Sequence, residues 1–197
     1  METFKTKTFD IPALKGISAK NIEEHLKLYS GYVKNSNLVL EKIAELSIDE
    51  VANAYTLGEL QRRFGFEFCG MRNHEYFFKS LANGSTTLTM NSSLGLAIQR
   101  DFGSYEAWFT RFKAVAMTRG IGWAMLYHDK SSGQLLNAWV DEHHLGQLTS
   151  LAPILALDMW EHSFVADYQP SGKKQYVEDF FANLNWGVIE KNFLEAQ

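Results

Sequence analysis

One cysteine, Cys69, is all the thiol chemistry in this sequence of 197 residues. An intramolecular disulfide is therefore excluded, and so is a zinc site built from several thiolates. An excess of basic side chains is missing too. Nineteen Lys and Arg stand against twenty-three Asp and Glu, for a formal charge of −4. That is no footprint for nucleic acid or for an anionic membrane surface, although local fields still decide whether a small anion binds. Nor is there a long apolar run. The longest uncharged stretch, residues 80–99, is full of Ser, Thr, Asn and Gly and cannot span a bilayer. The N-terminal METFKTKTFD has no apolar run behind its lysines. It does not read as a secretory signal, and a cytoplasmic location is the expectation.

What the sequence does have is core material. Apolar residues make up 46% and charged residues 21%, an ordinary globular balance. Fourteen Phe, eight Tyr and five Trp can fill a packed interior. The length suits one domain or two small ones.

Ile22, Leu26, Tyr29 and Val33 recur at steps of three and four, which marks one face of a long helix from Ser18 to about Leu46. Ser18 is its candidate N-cap, with Glu23 and Glu24 expected to complement the positive helix start. His25 lies beside the apolar face. A second helix is predicted over 53–82, stopped by Asn83-Gly84. Two long helices in succession suggest an antiparallel hairpin. The polar segment 83–91 reads as a linker. Two shorter helices, over 92–102 and 104–118, each open with a serine.

Beyond Arg119 the pattern changes. Runs 123–128 and 134–140 flank Asp-Lys-Ser-Ser-Gly at 129–133, a β-hairpin signature. Residues 153–157 fit a third, fully buried strand, and helices are expected over 173–183 and 185–194. The expected fold is α+β. A long antiparallel helical hairpin forms an N-terminal domain, residues 1–88. An α/β domain, residues 89–197, carries a three-stranded antiparallel sheet wrapped by helices.

The chemistry lies in the histidines and one aspartate. Asp158 directly follows the buried strand, among Leu157, Met159 and Trp160. A carboxylate there is costly to leave unpaired, so it calls for a cation, an arginine or a metal. If 158–162 forms a helical turn, Asp158 and His162 share a face. His25 and His74 stand on the two hairpin helices and can both face inward. A lone buried histidine is most often a satisfied core residue. Accumulation over three segments is what points to a metal.

At these residues the sequence resembles the iron/manganese superoxide dismutases. The resemblance rests on Asp158-x-Trp160-Glu161-His162, followed by Tyr168 and by Asn185-Trp186. It extends along the chain through Pro12-Ala-Leu, Ile17-Ser-Ala, His25, Tyr32-Val33, Asn73-His74, Gly122-Trp123-Ala124 and Pro153-Ile-Leu. It implies disproportionation of superoxide at one iron or manganese ion per chain, with His25, His74, Asp158 and His162 as ligands and solvent as a fifth. Three imidazoles, one carboxylate and no sulfur suit either metal. It also implies two catalytic residues beside the ion. Tyr32 would be the donor at the substrate entrance, with Tyr29 as competitor. His143, with His144 as fallback, would contact the metal-bound solvent, because Gly70 stands where some members carry a glutamine. Trp123 and Trp160 would wall the site and keep it dry, Ala156 would lie near it, and Trp186 is read as packing. A homodimer is implied, Glu161 bridging to the partner's His162.

Three departures from the family pattern stand out. His25 to Tyr32 spans seven residues where eight is usual, so a local widening of the first helix would be absent. Leu28 or Tyr29, with Val165, replaces a His–Tyr pair that joins subunits in many members. Phe78 stands for a commoner Trp. Two alternative functions are a mononuclear non-haem iron oxygenase with a two-histidine, one-carboxylate triad and a non-catalytic metal-binding relative. The choice between iron and manganese is open at this level.

Overall fold

The computed structural model describes residues 3–197, so the first two positions of METFKTKTFD lie outside the described residues. Helix α1 (Ala19–Leu46) starts where the Ser18 side chain accepts the Asn21 N–H. Glu23 and Glu24 fall beyond the first turn, which carries no acidic residue. They pair instead with Lys27, each at 2.8 Å, on an exposed surface where such contacts stabilise little. The expected charge complement of the helix start is therefore not there. The α-helix runs unbroken from His25 to Tyr32, so the seven-residue spacing is met without any widening.

Helix α2 (Glu50–Leu81) begins three residues earlier than the sequence pattern suggests. A single 3-10 turn, Ser47–Asp49, links the two helices, and Asp49 caps α2 by accepting the Ala52 N–H. Val51 and Tyr55 are exposed at this end, so no apolar period announces the first turn. The two helices lie side by side as the hairpin.

Helices α3 (Ser93–Phe102) and α4 (Tyr105–Ala116) are capped by Ser92 and Ser104, whose hydroxyls accept N–H groups one turn on. Gly103, at φ +88°, makes the corner between them, where a side chain would be strained. Strands β1 (Gly122–Asp129), β2 (Gln134–Asp141) and β3 (Ala152–Asp158) form an antiparallel sheet in the order β2-β1-β3. The central strand is buried along nearly its whole length, and β3 from Ile154 to Asp158. Helices α5 (Lys173–Ala182) and α6 (Trp186–Glu195) complete the chain.

Helix α2 packs against β3, which positions the site. Phe77 and Phe78 of α2 are buried there, and Phe77 stacks on Phe180 of α5 with ring centroids 5.3 Å apart. Burying one such ring is worth about 1.5–3 kcal/mol, so this contact ties hairpin to sheet domain firmly. The β1–β3 register sets Trp123 opposite Asp158 at the end of the sheet facing α2. No helix among the described residues is long and apolar enough to cross a membrane.

Candidate metal centre

The hairpin brings the rings of His25 (α1) and His74 (α2) edge to face, centroids 4.9 Å apart. Asp158 is the last residue of β3, and His162 sits in the 3-10 turn Glu161–Ser163. The chain turns sharply between them. The Trp160 N–H donates to Asp158 Oδ1 at 2.8 Å, and the hydroxyls of Ser163 and Tyr176 donate to the Asp158 carbonyl at 3.1 and 2.9 Å. Residues 158–162 are therefore not the helical turn that their spacing allows. One carboxylate oxygen caps the turn and the other is freed for the imidazoles.

Asp158 Oδ2 lies 3.1 Å from His25 Nε2, 3.1 Å from His162 Nε2 and 3.5 Å from His74 Nε2. One donor atom from each of the four residues lies within 4.8 Å of all the others. His25, His74 and Asp158 are buried, and His162 is partly exposed. Two donors about 2.1 Å from a common ion and 90–120° apart would be separated by roughly 3.0–3.6 Å, which brackets these contacts.

The protonation states argue for a cation as well. His74 Nδ1 lies 2.6 Å from the Gly70 carbonyl, which can only accept, so Nδ1 carries the proton. Burial pushes the His74 pKa well below its ordinary value, so the ring is neutral. Its Nε2 is then a bare lone pair, buried and without a hydrogen-bond partner, facing a carboxylate oxygen. Burial alone would raise the Asp158 pKa. The charge and hydrogen bond of His162, with those of His25, outweigh it and hold the carboxyl far below the usual range. Two acceptors in a dry interior repel unless a positive charge stands between them. Three imidazoles and a carboxylate without sulfur suit iron or manganese, so the residues fit a single such ion.

A hydrogen-bonded chain borders this cluster. The Trp123 indole N–H donates to His143 Nδ1 at 3.0 Å. An indole nitrogen cannot accept, so the His143 proton sits on Nε2, which donates to the Tyr32 oxygen at 2.7 Å. Burial pushes the His143 pKa down to about 4, so this ring is also neutral. His143 is fully buried and stacks on Trp160, with centroids 4.8 Å apart. The Tyr32 hydroxyl is pushed up mainly by burial, then by the charges of Asp158 and Glu67, with Arg63 acting the other way.

The alternatives weighed at these positions lie elsewhere. His144 packs its ring on Phe66 and beside Gly65. The Tyr29 hydroxyl accepts the Lys7 N–H and donates to Glu75, so it is engaged away from His143. Trp123 meets His74 edge to face at 5.0 Å, and Trp160 stacks on His162 at 5.8 Å. Trp186 packs among Tyr105, Trp108 and Phe181. Ala156 is buried in β3 opposite Met125. Glu161 is exposed, as are Leu28 and Val165.

Three residues escaped the sequence reading. Asn73 and Gln147 each donate a side-chain N–H to the His143 carbonyl at 3.1 Å and fix the turn that carries it. Asn73 at least stands inside a noted motif, whereas Gln147 carries no signal. Phe66 closes the far side, its ring 4.6 Å from that of His143. An open groove of about 580 Å3 is lined by Phe66, Tyr32 and Trp160 on this side of the cluster.

A helical hairpin on a small antiparallel sheet, with three imidazoles and one carboxylate from both halves around one point, defines a class of protein built to accept a single metal ion. Comparison with known proteins narrows the class. A family model described as iron/manganese superoxide dismutases, C-terminal domain, matches residues 90–192. A superoxide dismutase [Fe] of Cupriavidus metallidurans is 37% identical over 93% of this chain and 91% of its own. One from Aquifex aeolicus is 34% identical over 93% and 87%. A superoxide dismutase [Mn/Fe] of Propionibacterium freudenreichii is 31% identical over 96% and 94%. The chain belongs to the iron/manganese superoxide dismutase family.

Proposed function

We propose that this chain disproportionates superoxide to dioxygen and hydrogen peroxide at one iron or manganese ion held by His25, His74, Asp158 and His162. The observation that carries the reading is the convergence of these four side chains, with the His74 Nε2 lone pair 3.5 Å from an Asp158 oxygen. When bound there, the metal supplies one-electron chemistry between two oxidation states. The protein's own residues do the rest. The Asp158 carboxylate offsets part of the ion's charge in a buried place. The Gly70 carbonyl fixes the His74 tautomer, so its Nε2 faces inward. Trp123 fixes His143 in the same way, and His143 in turn donates to Tyr32.

The Tyr32 oxygen already accepts from His143, so its own proton is available to an anion arriving through the groove. Trp123, Trp160 and Phe66 exclude water and strengthen these interactions. Two superoxide anions and two protons yield one dioxygen and one hydrogen peroxide. In this reading His143 and Tyr32 deliver those protons, a role supported by the hydrogen bond between them.

A homodimer is part of the same reading, with Glu161 reaching the partner's His162. It is supported by the exposure of Glu161 one residue from His162. The oxygenase reading uses two histidines and one carboxylate and leaves the third imidazole without a role. The test is direct: the iron- or manganese-loaded protein should consume superoxide catalytically and form half an equivalent of peroxide. Loaded protein that leaves superoxide decay at its spontaneous rate would refute the proposal.

A further inference from the structure

The groove leading to Tyr32 carries two cations, and they are not equivalent. Lys27 is held by Glu23 and Glu24, each at 2.8 Å, so one positive charge there meets two carboxylates. Arg63 is arranged otherwise. Its Nε donates to Glu67 Oε1 at 2.8 Å, and the other Glu67 oxygen receives the Asn35 side-chain N–H at 3.4 Å. The Glu67 side chain is 5% exposed and that of Arg63 is 50% exposed. Glu24 and Glu67 line the groove as well, but the Glu67 carboxylate is almost wholly covered while half of Arg63 reaches solvent, so the positive end of this pair is the more exposed one. Among the described residues, nothing accepts a hydrogen bond from the Arg63 Nη groups.

The guanidinium is also fixed in place. Its central carbon lies 3.8 Å from the centroid of the Phe66 ring, a favourable cation–aromatic contact. Phe66 in turn meets the rings of His143 at 4.6 Å and Tyr32 at 6.1 Å. One ring therefore separates a half-exposed cation with a free hydrogen-bonding fork from Tyr32, which lines the same groove. A charge at the mouth of a groove with apolar walls raises the local concentration of anions and their rate of arrival.

We propose that Arg63 is the steering residue of this groove: it draws the small anionic substrate in and hands it to the Tyr32 hydroxyl, while Glu67 moderates its charge. The inference rests on the dismutase reading of the centre for the identity of that anion. Arg63 acts on arrival, before any electron moves, so kcat/KM is affected and kcat is not.

The test measures kcat/KM for superoxide by pulse radiolysis on the metal-loaded full chain, over ionic strengths of about 0.01–0.2 M. Arg63→Gln should lower kcat/KM about threefold to tenfold at low ionic strength and flatten its salt dependence, with kcat and metal content unchanged. Arg63→Lys should retain most of the rate. Glu67→Gln should shift it the opposite way, upward. The association rate of azide with the loaded protein should follow the same order, and this second readout does not depend on dismutase activity. If Arg63→Gln matched the wild type in rate, salt slope and azide association, the proposal would fail. It would fail equally if Arg63→Gln and Glu67→Gln both slowed the enzyme alike, the mark of an ion pair that only braces α2. An inactive wild-type protein that kept the azide order would uphold Arg63 as an anion guide and overturn the dismutase reading alone.

Discussion

The Tyr32 ring lies directly over the Cα of Gly70: a Cβ built there would sit 2.7 Å from Tyr32 Cδ1. The glycine that cannot supply a hydrogen-bonding side chain is the one that lets α1 place its tyrosine against α2, within reach of His143. Loss of one group and placement of the other are the same event. Gly70→Ala should gain about 1 kcal/mol of helix propensity and lose roughly 1–3 kcal/mol to overpacking. A net fall in unfolding free energy is expected in urea titrations. Activity should drop about tenfold with metal content retained, because the displaced phenol breaks its bond to His143. An alanine variant as active as the wild type would show that Tyr32 does not depend on this contact.

Removing a group from the cluster should remove the ion. Asp158→Ala and His74→Ala are each expected to bring bound metal from about one ion per chain to under a tenth of that, measured by elemental analysis after reconstitution. An Asp158→Ala protein that kept stoichiometric metal and full activity would contradict the ligand assignment.

Chelation of the wild-type protein should lower its melting temperature, since the ion is bound by the folded state and not by the dispersed ligands of the unfolded one. At a free metal concentration a thousand times the dissociation constant, the linkage amounts to about 4 kcal/mol. Adding back iron and manganese separately, and comparing both Tm and superoxide turnover, ranks the two metals for this chain. Equal melting curves with and without metal would contradict a buried, pre-assembled site.

The two neighbouring histidines should separate cleanly. His143→Ala is expected to keep the metal and lower superoxide turnover by about two orders of magnitude, the lower end of the effect of a lost positioned proton donor. His144→Ala should stay within about twofold of the wild type, because its ring packs on Phe66. Trp123→Phe should resemble His143→Ala in milder form. It leaves the ring in place but frees the choice of tautomer. A normal rate in His143→Ala with a slow His144→Ala would reverse the assignment.

Glu161→Ala tests the assembly. Sedimentation equilibrium of the loaded wild-type protein should give twice the chain mass, and the variant should dissociate at higher protein concentration. A wild-type chain that sediments as a monomer at micromolar concentration, fully active, would rule out the bridge to the partner's His162.

Much of this centre is legible in the amino-acid sequence. Asp158 is legible because a carboxylate between apolar neighbours after a buried run has few affordable fates. His25 is legible because it stands beside the apolar face of a strongly patterned helix, and His74 because Tyr76, Phe77 and Phe78 follow it within one turn. The N-caps Ser18, Ser92 and Ser104 are legible because capping is a local, short-range interaction. The start of α2 was missed for the converse reason: its first turn is exposed, so no burial pattern marks it. Gln147 left no trace because it acts by gripping a backbone carbonyl, and any segment could offer one. Arg63 and Phe66 left none either, since a charged residue and an aromatic three apart on a helix are commonplace until something packs against them.

Residue type and periodicity alone determined the order of helices and strands, the apolar faces, and which side chains have the chemistry to bind a hard or borderline ion. These depend on neighbours a few positions away, and the sequence states those outright. The tertiary structure alone decided that His143 and not His144 meets Tyr32, that Tyr29 is engaged with Lys7 and Glu75, and that Asp158 offers a single oxygen to three rings. Those outcomes turn on ångström-scale approach between segments far apart in the chain. Only the packing of α2 against β3, with the turn after β2 closed over it, sets such distances.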